Sequence, residues 1–250
     1  MITMAPELVA SVFILFCRIG TCLMLTPGFS SPRLPVRSRL FIALALTLAL
    51  APSLMGGKGF AINNFGTLVG DIFGELFIGG VIGVLGRMFF MALETMMMAA
   101  SMNIGLSNGM GAPIDEAEAL PTIATLVTLT TTCLIFVSDL HWELIRGVVA
   151  SYNVMPVGFA LKPEAALNFL ADDLARTFVI ALRIASPFLV FAVIVNMAIG
   201  LINRLTPQIP IFFISGPFVI AGGLVLFYFI SGPLVEVFLM QFADWAVKGN

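Results

Sequence analysis

Seven apolar stretches occupy most of this chain, at residues 8–26, 40–55, 67–106, 120–138, 144–157, 177–202 and 205–235. Their lengths decide what the chain can fold into. A bilayer span needs ~20 apolar residues, with ~17–25 the usual range. The stretch 40–55 is short, 67–106 is long enough for two passes, and 205–235 is interrupted by Pro210, Pro217 and Pro233. Irregular lengths with internal prolines suit helices packed on other protein, where neighbours satisfy the freed carbonyls. Of the 250 residues, 60% are hydrophobic and only 10% are charged, with a mean hydropathy of +1.08. A globule still needs a polar surface, and 26 acidic and basic side chains cannot supply one. Disorder needs the opposite composition. The expectation is an all-α membrane protein, and a soluble enzyme is excluded.

Other classes fall on simpler grounds. A net charge of −2 without a long basic run argues against nucleic acid as a partner. Cys17, Cys22 and Cys133 show no CxxC spacing, so neither a disulfide framework nor a metal cluster is indicated. One histidine, His141, rules out any two-histidine metal site. Gly57-Lys58-Gly59 lacks the remainder of a phosphate-binding loop, so no nucleotide or other cofactor is expected. Met1–Glu7 has no basic segment, and 8–26 reads as a retained helix rather than a cleaved signal.

Loop charge suggests an orientation. The loop Ser30–Arg39 carries Arg33, Arg37 and Arg39 and no acid, which points it to the cytoplasm. The connector Asn203–Gln208, with Arg204, points the same way. Ser107–Ala119 carries Asp115, Glu116 and Glu118 and no base, and reads as facing outward or into a cavity. Roughly six passes with both termini outside follow from these assignments.

Six ionisable groups interrupt the apolar stretches: Arg18, Asp71, Glu75, Arg87, Glu94 and Arg183. Each costs at least ~2.5–3.5 kcal/mol at a bilayer centre on the insertion scale. Asp71 and Glu75 share a helix face but repel, and Arg87 and Glu94 lie two turns, ~10.5 Å, apart. Each therefore needs a partner on another helix or another chain. Ion pairing between packed helices and an ion relay both meet that need. Gly79, Gly80, Gly83 and Gly86, and later Gly222-Gly223, offer the small-residue spacing that lets apolar helices approach closely. Ligand contact is the other reading of those glycines.

The segment Gly105–Pro121 holds three glycines, two prolines and three acids, too poor in helix formers to span anything. Either a solvated outer loop or a lumen-blocking segment fits it. His141, next to Trp142, reads as a residue at a helix end near a membrane interface. Glu143 and Arg146 are spaced for a local ion pair.

Asn196-Met-Ala-Ile-Gly-Leu-Ile-Asn-Arg204-Leu-Thr-Pro207-Gln208-Ile-Pro-Ile-Phe212-Phe-Ile-Ser-Gly-Pro217 resembles the C-terminal signature of the flagellar biosynthesis protein FliR family. That family includes the homologous export-gate proteins of type III secretion injectisomes. Phe16-Cys-Arg18 followed by Pro27 is similar to the family's opening helix. Pro35-Val-Arg37-Ser-Arg-Leu40 leading to Ala51-Pro52 resembles its first cytoplasmic tip and second helix. Glu75 through Arg87, Gly105-Leu106-Ser107, and Ser151-Tyr152 with Pro156 follow in the family's order.

The resemblance implies an export-gate subunit that is not an enzyme and binds no cofactor. It implies a FliP-like part over about 1–176 and a FliQ-like helical hairpin over 177–250, assembled with FliP, FliQ and FlhB family subunits in the bacterial inner membrane at the flagellar basal body. Unfolded substrates would pass through that assembly. The loop residues Gly105, Leu106, Ser107, Asn108, Gly109, Met110, Gly111, Ala112 and Pro113 match the position of the family's pore plug. Arg33, Arg37, Arg39, Asn196, Arg204, Pro207 and Gln208 match its cytoplasmic tips. On this reading the six intramembrane charges lack partners within the chain and find them in sister subunits. The homologous injectisome export-gate subunit is the close alternative, because the shared motifs do not separate the two. A secondary transporter using Asp71, Glu75 and Glu94 is a more distant one, since it predicts inverted repeats and 67–95 has no convincing second copy.

Overall fold

A computed structural model of the chain describes residues 4–30, 34–56, 60, 65–105, 122–158, 163–208 and 211–248. Among these residues are seven α-helices and no strand. They are α1 (Met4–Leu25), α2 (Val36–Met55), α3 (Phe65–Asn103), α4 (Thr122–Val137), α5 (Leu140–Val154), α6 (Pro163–Leu205) and α7 (Ile211–Lys248). Five are long and apolar enough to cross a membrane, or six spans if α4 and α5 count as one broken crossing. The all-α membrane fold is what the composition requires.

Helix ends follow local chemistry. Pro35 stands at the N-cap of α2 with an extended backbone, and Gly56 closes that helix in the left-handed region at φ 54°. Gly105 ends α3 in the same way, at φ 76°, with its N–H donating to the Met102 carbonyl. Between α4 and α5 the left-handed residue is Asp139, at φ 58°. Aspartate is one of the few side chains that tolerates that conformation. Pro156 stops α5, because the residue before a proline is disfavoured in helix. Met155 accordingly leaves helical geometry at φ −128°, ψ 82°.

The helices build two compact units, one of Met1–Phe89, Phe136–Ala175 and Asp244–Asn250, the other of Phe90–Ile135 and Arg176–Ala243. In the first, Ile19, Cys22, Leu23, Ala43 and Val148 form a buried cluster, covered by Phe16, Phe29, Leu46 and Ile82. Only Ala43, Thr47 and Ala51 of α2 are buried, one residue per turn. Thr47 Oγ1 donates to the Ala43 carbonyl at 2.7 Å. The rest of α2 presents Leu40, Phe41 and Leu48 outward. In the second unit Phe90 packs edge-on against Phe238 and Phe242, at 5.4 and 5.9 Å between ring centroids. Gly223 lies so close to Ile104 that a side chain there would overlap it, and a Cβ at Gly222 would come within 3.2 Å of the Phe191 ring.

Several expectations need correcting. The stretch 67–106 does not read as two passes: its residues up to Asn103 are the body of one 39-residue helix, α3, about 58 Å long at 1.5 Å per residue. Pro217 and Pro233 do not interrupt the last stretch; both lie inside the 38-residue α7. Pro187 likewise lies within α6, 43 residues or about 64 Å long. Each of these helices has roughly twice the length of a ~30 Å hydrocarbon core. The Arg-bearing segments also shift. Arg37 and Arg39 belong to the first turn of α2 rather than a loop, and Asn203 and Arg204 to the last turn of α6.

Candidate functional site

The charged residues of the apolar stretches meet different fates, and two of them make the main polar site of the first unit. Arg18 on α1 and Glu75 on α3 are buried, at 0% and 1% exposure. They are 57 residues apart and form a two-pronged ion pair. Arg18 Nε donates to Glu75 Oε2 at 2.6 Å, and Arg18 Nη2 donates to Glu75 Oε1 at 2.8 Å. The planar guanidinium fork matches a carboxylate in this geometry, which is why arginine rather than lysine suits such a site.

The remaining donors reach α5. Arg18 Nη2 also donates to the Met155 carbonyl at 2.8 Å, and Nη1 donates to Ser151 Oγ at 3.1 Å. Ser151 Oγ passes its own hydrogen to the Val148 carbonyl at 2.6 Å. The Tyr152 ring covers the guanidinium, 3.9 Å from its carbon to the ring centroid, a cation–π contact strengthened by desolvation. The Met155 carbonyl is available because Pro156 ends α5 there. One side chain therefore joins three helices. The expectation that all six charges lack partners within the chain is overturned for Arg18 and Glu75. A sequence offers no local periodic signal for a pair this far apart.

Below the ion pair, α1 and α3 touch backbone to backbone. A side chain at Gly79 would overlap the Arg18 carbonyl oxygen. At Gly83 a Cβ would stand 2.7 Å from Leu25 Cβ and 2.9 Å from the Cys22 carbonyl oxygen. Gly86 makes room for Trp245, whose ring would stand 3.3 Å from a Cβ placed there, and Trp245 also packs on Phe89 at 5.2 Å between centroids. These glycines serve close packing, the first of the two readings above. At the far end of α1, Ser11 Oγ accepts a hydrogen bond from the Phe60 N–H at 2.8 Å, tying down the approach to α3.

The other four charges are not drawn into this site. Asp71 and Glu94 are half-buried, and Arg87 and Arg183 are exposed beside apolar neighbours such as Val84, Met91, Leu182 and Val190. Among the described residues, neither Arg87 nor Arg183 has an acidic partner. Arg37, Asn196, Arg204, Pro207 and Gln208 are exposed. Arg39 Nε donates to the Leu34 carbonyl at 3.0 Å. Arg33 and the loop residues 106–113 lie outside the described residues. Glu143 and Arg146 form the expected local pair at 2.6 Å. His141 stacks on Phe136 at 5.3 Å, and Trp142 is exposed. Among the described residues no three His, Cys, Asp or Glu side chains are grouped to hold a metal ion.

Apolar helices of spanning length, joined at a charge cluster sealed from solvent, define an integral membrane protein. The chain belongs to the bacterial export proteins, family 1, whose sequence profile matches residues 9–245. It is 30% identical to the flagellar biosynthetic protein FliR of Caulobacter vibrioides over 213 residues, 85% of either chain. It is 29% identical to the FliR of Aquifex aeolicus, covering 93% of this chain and 89% of that one. The Yop proteins translocation protein T of Yersinia pestis is 25% identical, with 94% and 88% covered.

Proposed function

We propose that this chain is a core, non-enzymatic subunit of the flagellar type III export gate. With FliP and FliQ family subunits it forms the channel that passes unfolded substrates across the bacterial inner membrane at the basal body. An FlhB family subunit sits at the cytoplasmic mouth. Residues 1–176 play the FliP-like part and 177–250 the FliQ-like hairpin. The observation that carries this reading is the family match over 9–245, on helices about twice as long as a bilayer core is thick. Arg87 and Arg183, exposed on apolar faces, fit carboxylates of sister subunits, since a lone cation facing lipid is costly. Deleting the gene should abolish flagella, and a tagged chain should co-purify with FliP and FliQ homologues. The injectisome counterpart is a second reading, favoured by the match to the Yersinia translocation protein. Loss of virulence-type secretion with normal flagella would select it.

Two further results are expected. Arg204 lies in the last turn of α6, where its charge complements the helix dipole and its exposed head is available to a neighbour. Arg204→Ala should leave the chain level unchanged and reduce swimming-halo diameter at least twofold in soft agar. An undiminished halo removes this tip from the functional surface. Residues 105–113 are proposed as the pore plug. Deleting Asn108–Ala112 should raise passive ion conductance several-fold in membranes holding the assembled gate, and unchanged conductance rejects the plug.

A further inference from the structure

Helix α3 carries two rows of glycine, and α1 uses only one of them. Gly79, Gly83 and Gly86 are filled by α1 and Trp245, whereas Gly66, Gly70 and Gly74 have nothing within 4 Å of where a Cβ would stand. At 100° per residue, with Gly66 as zero, the open row spans roughly 0–80° of the helix surface and the filled row roughly 200–260°. Gly80, at roughly 320°, also faces α1 through Thr21, so α1 covers roughly 200–320° of α3 and leaves the open row at 0–80° uncovered. As a docking surface the open row is at least as regular, with one glycine every four residues. Small residues let helices approach closely wherever they recur, so the glycine spacing by itself does not say which row α1 takes or at which turn it stops.

Glu75 distinguishes them. It stands at roughly 180° on the same scale, one turn before Gly79 and in line with the filled row. Arg18, whose carbonyl meets Gly79, reaches back to it. We propose that Arg18 is a positioning residue: its fork on Glu75 selects the glycine row on which α1 docks and the turn at which it stops. Its bonds to Ser151 and Met155 carry the same registration to the end of α5. Buried ion pairs are weak sources of stability, because desolvation offsets their attraction, and register selection is their best-attested use. The inference concerns the chain's own packing, and its readout does not depend on the export role.

The test is disulfide trapping in native membranes, with Cys17, Cys22 and Cys133 replaced by Ala. A Cβ at Gly80 would lie 3.8 Å from Thr21 Cγ2, so Thr21→Cys with Gly80→Cys reports the native register. Thr21→Cys with Val84→Cys reports a one-turn slip, and with Gly70→Cys the other row. Adding Arg18→Met and Glu75→Leu replaces the ion pair by apolar side chains of similar size. The expected result is an accumulating chain whose 21–80 link falls at least threefold, with a new link at 84 or 70. An unchanged 21–80 yield overturns the proposal. So does loss of that link with no new one, which means that α1 has detached. Disappearance of the chain also overturns it, because a pair that only selects a register is dispensable for accumulation.

Discussion

Arg18→Ala should reduce the chain to less than a fifth of its normal level in membranes, measured by quantitative immunoblot, and should abolish motility. The substitution leaves the Glu75 carboxylate buried at 1% exposure with its cation gone. Removing one partner of a buried ion pair costs about 3–5 kcal/mol. That is a large part of the ~5–15 kcal/mol that holds a typical domain together. The Met155 carbonyl and the Tyr152 ring lose their contacts in the same step. Arg18→Lys should fall between the two, since an ammonium group cannot supply the fork. A normal level of the Ala variant would show that this cluster does not hold the first unit together. The double apolar variant is expected to accumulate because nothing charged is left stranded.

Gly79→Ala should be nearly as damaging, and Gly70→Ala harmless, though both lie in α3 and make the same chemical change. A methyl group at Gly79 meets the Arg18 backbone, which cannot yield without moving α1 and with it the ion pair. Overpacking of this kind typically costs 1–3 kcal/mol. Gly70 has open space, and there alanine gains the helix preference of about 1 kcal/mol over glycine. Chain level and resistance to trypsin in isolated membranes should separate the variants at least threefold. Equal behaviour would mean that α1 does not rest on the 79–86 row.

Much of the architecture was legible because apolar composition is a direct consequence of the medium. The stretches 8–26 and 120–138 appear as α1 and α4 with small shifts, and the charge-poor composition left only an all-helical membrane fold open. Continuity was harder to read. Residues 67–106 could be two passes or one long helix, since apolar length records contact with lipid or protein without recording where the chain bends. Prolines inside α6 and α7 gave a misleading signal for the same reason: one missing hydrogen bond need not end a helix whose neighbours compensate.

The site was legible in part. Small residues at 79, 83 and 86 announced close packing, and six charges in apolar surroundings announced a need for partners. Which charge meets which is a tertiary fact. Asp71 and Arg87 have the same local character as Glu75 and Arg18, yet only the latter two come together. Ser151, Tyr152 and Met155 offered no chemical signal of their own. Their part depends on Pro156 ending α5 beside Arg18.

On the proposed reading, sister subunits serve as solvent for the outer faces of these helices. Expressing a tagged chain with and without its neighbouring export genes, then weighing the detergent-extracted particles by native mass spectrometry, tests that directly. With the partners present, the chain should be found in a multi-subunit particle containing FliP and FliQ homologues; without them, it should be aggregated or degraded. A monodisperse single chain of 26.8 kDa, obtained equally well in both cases, would contradict the account.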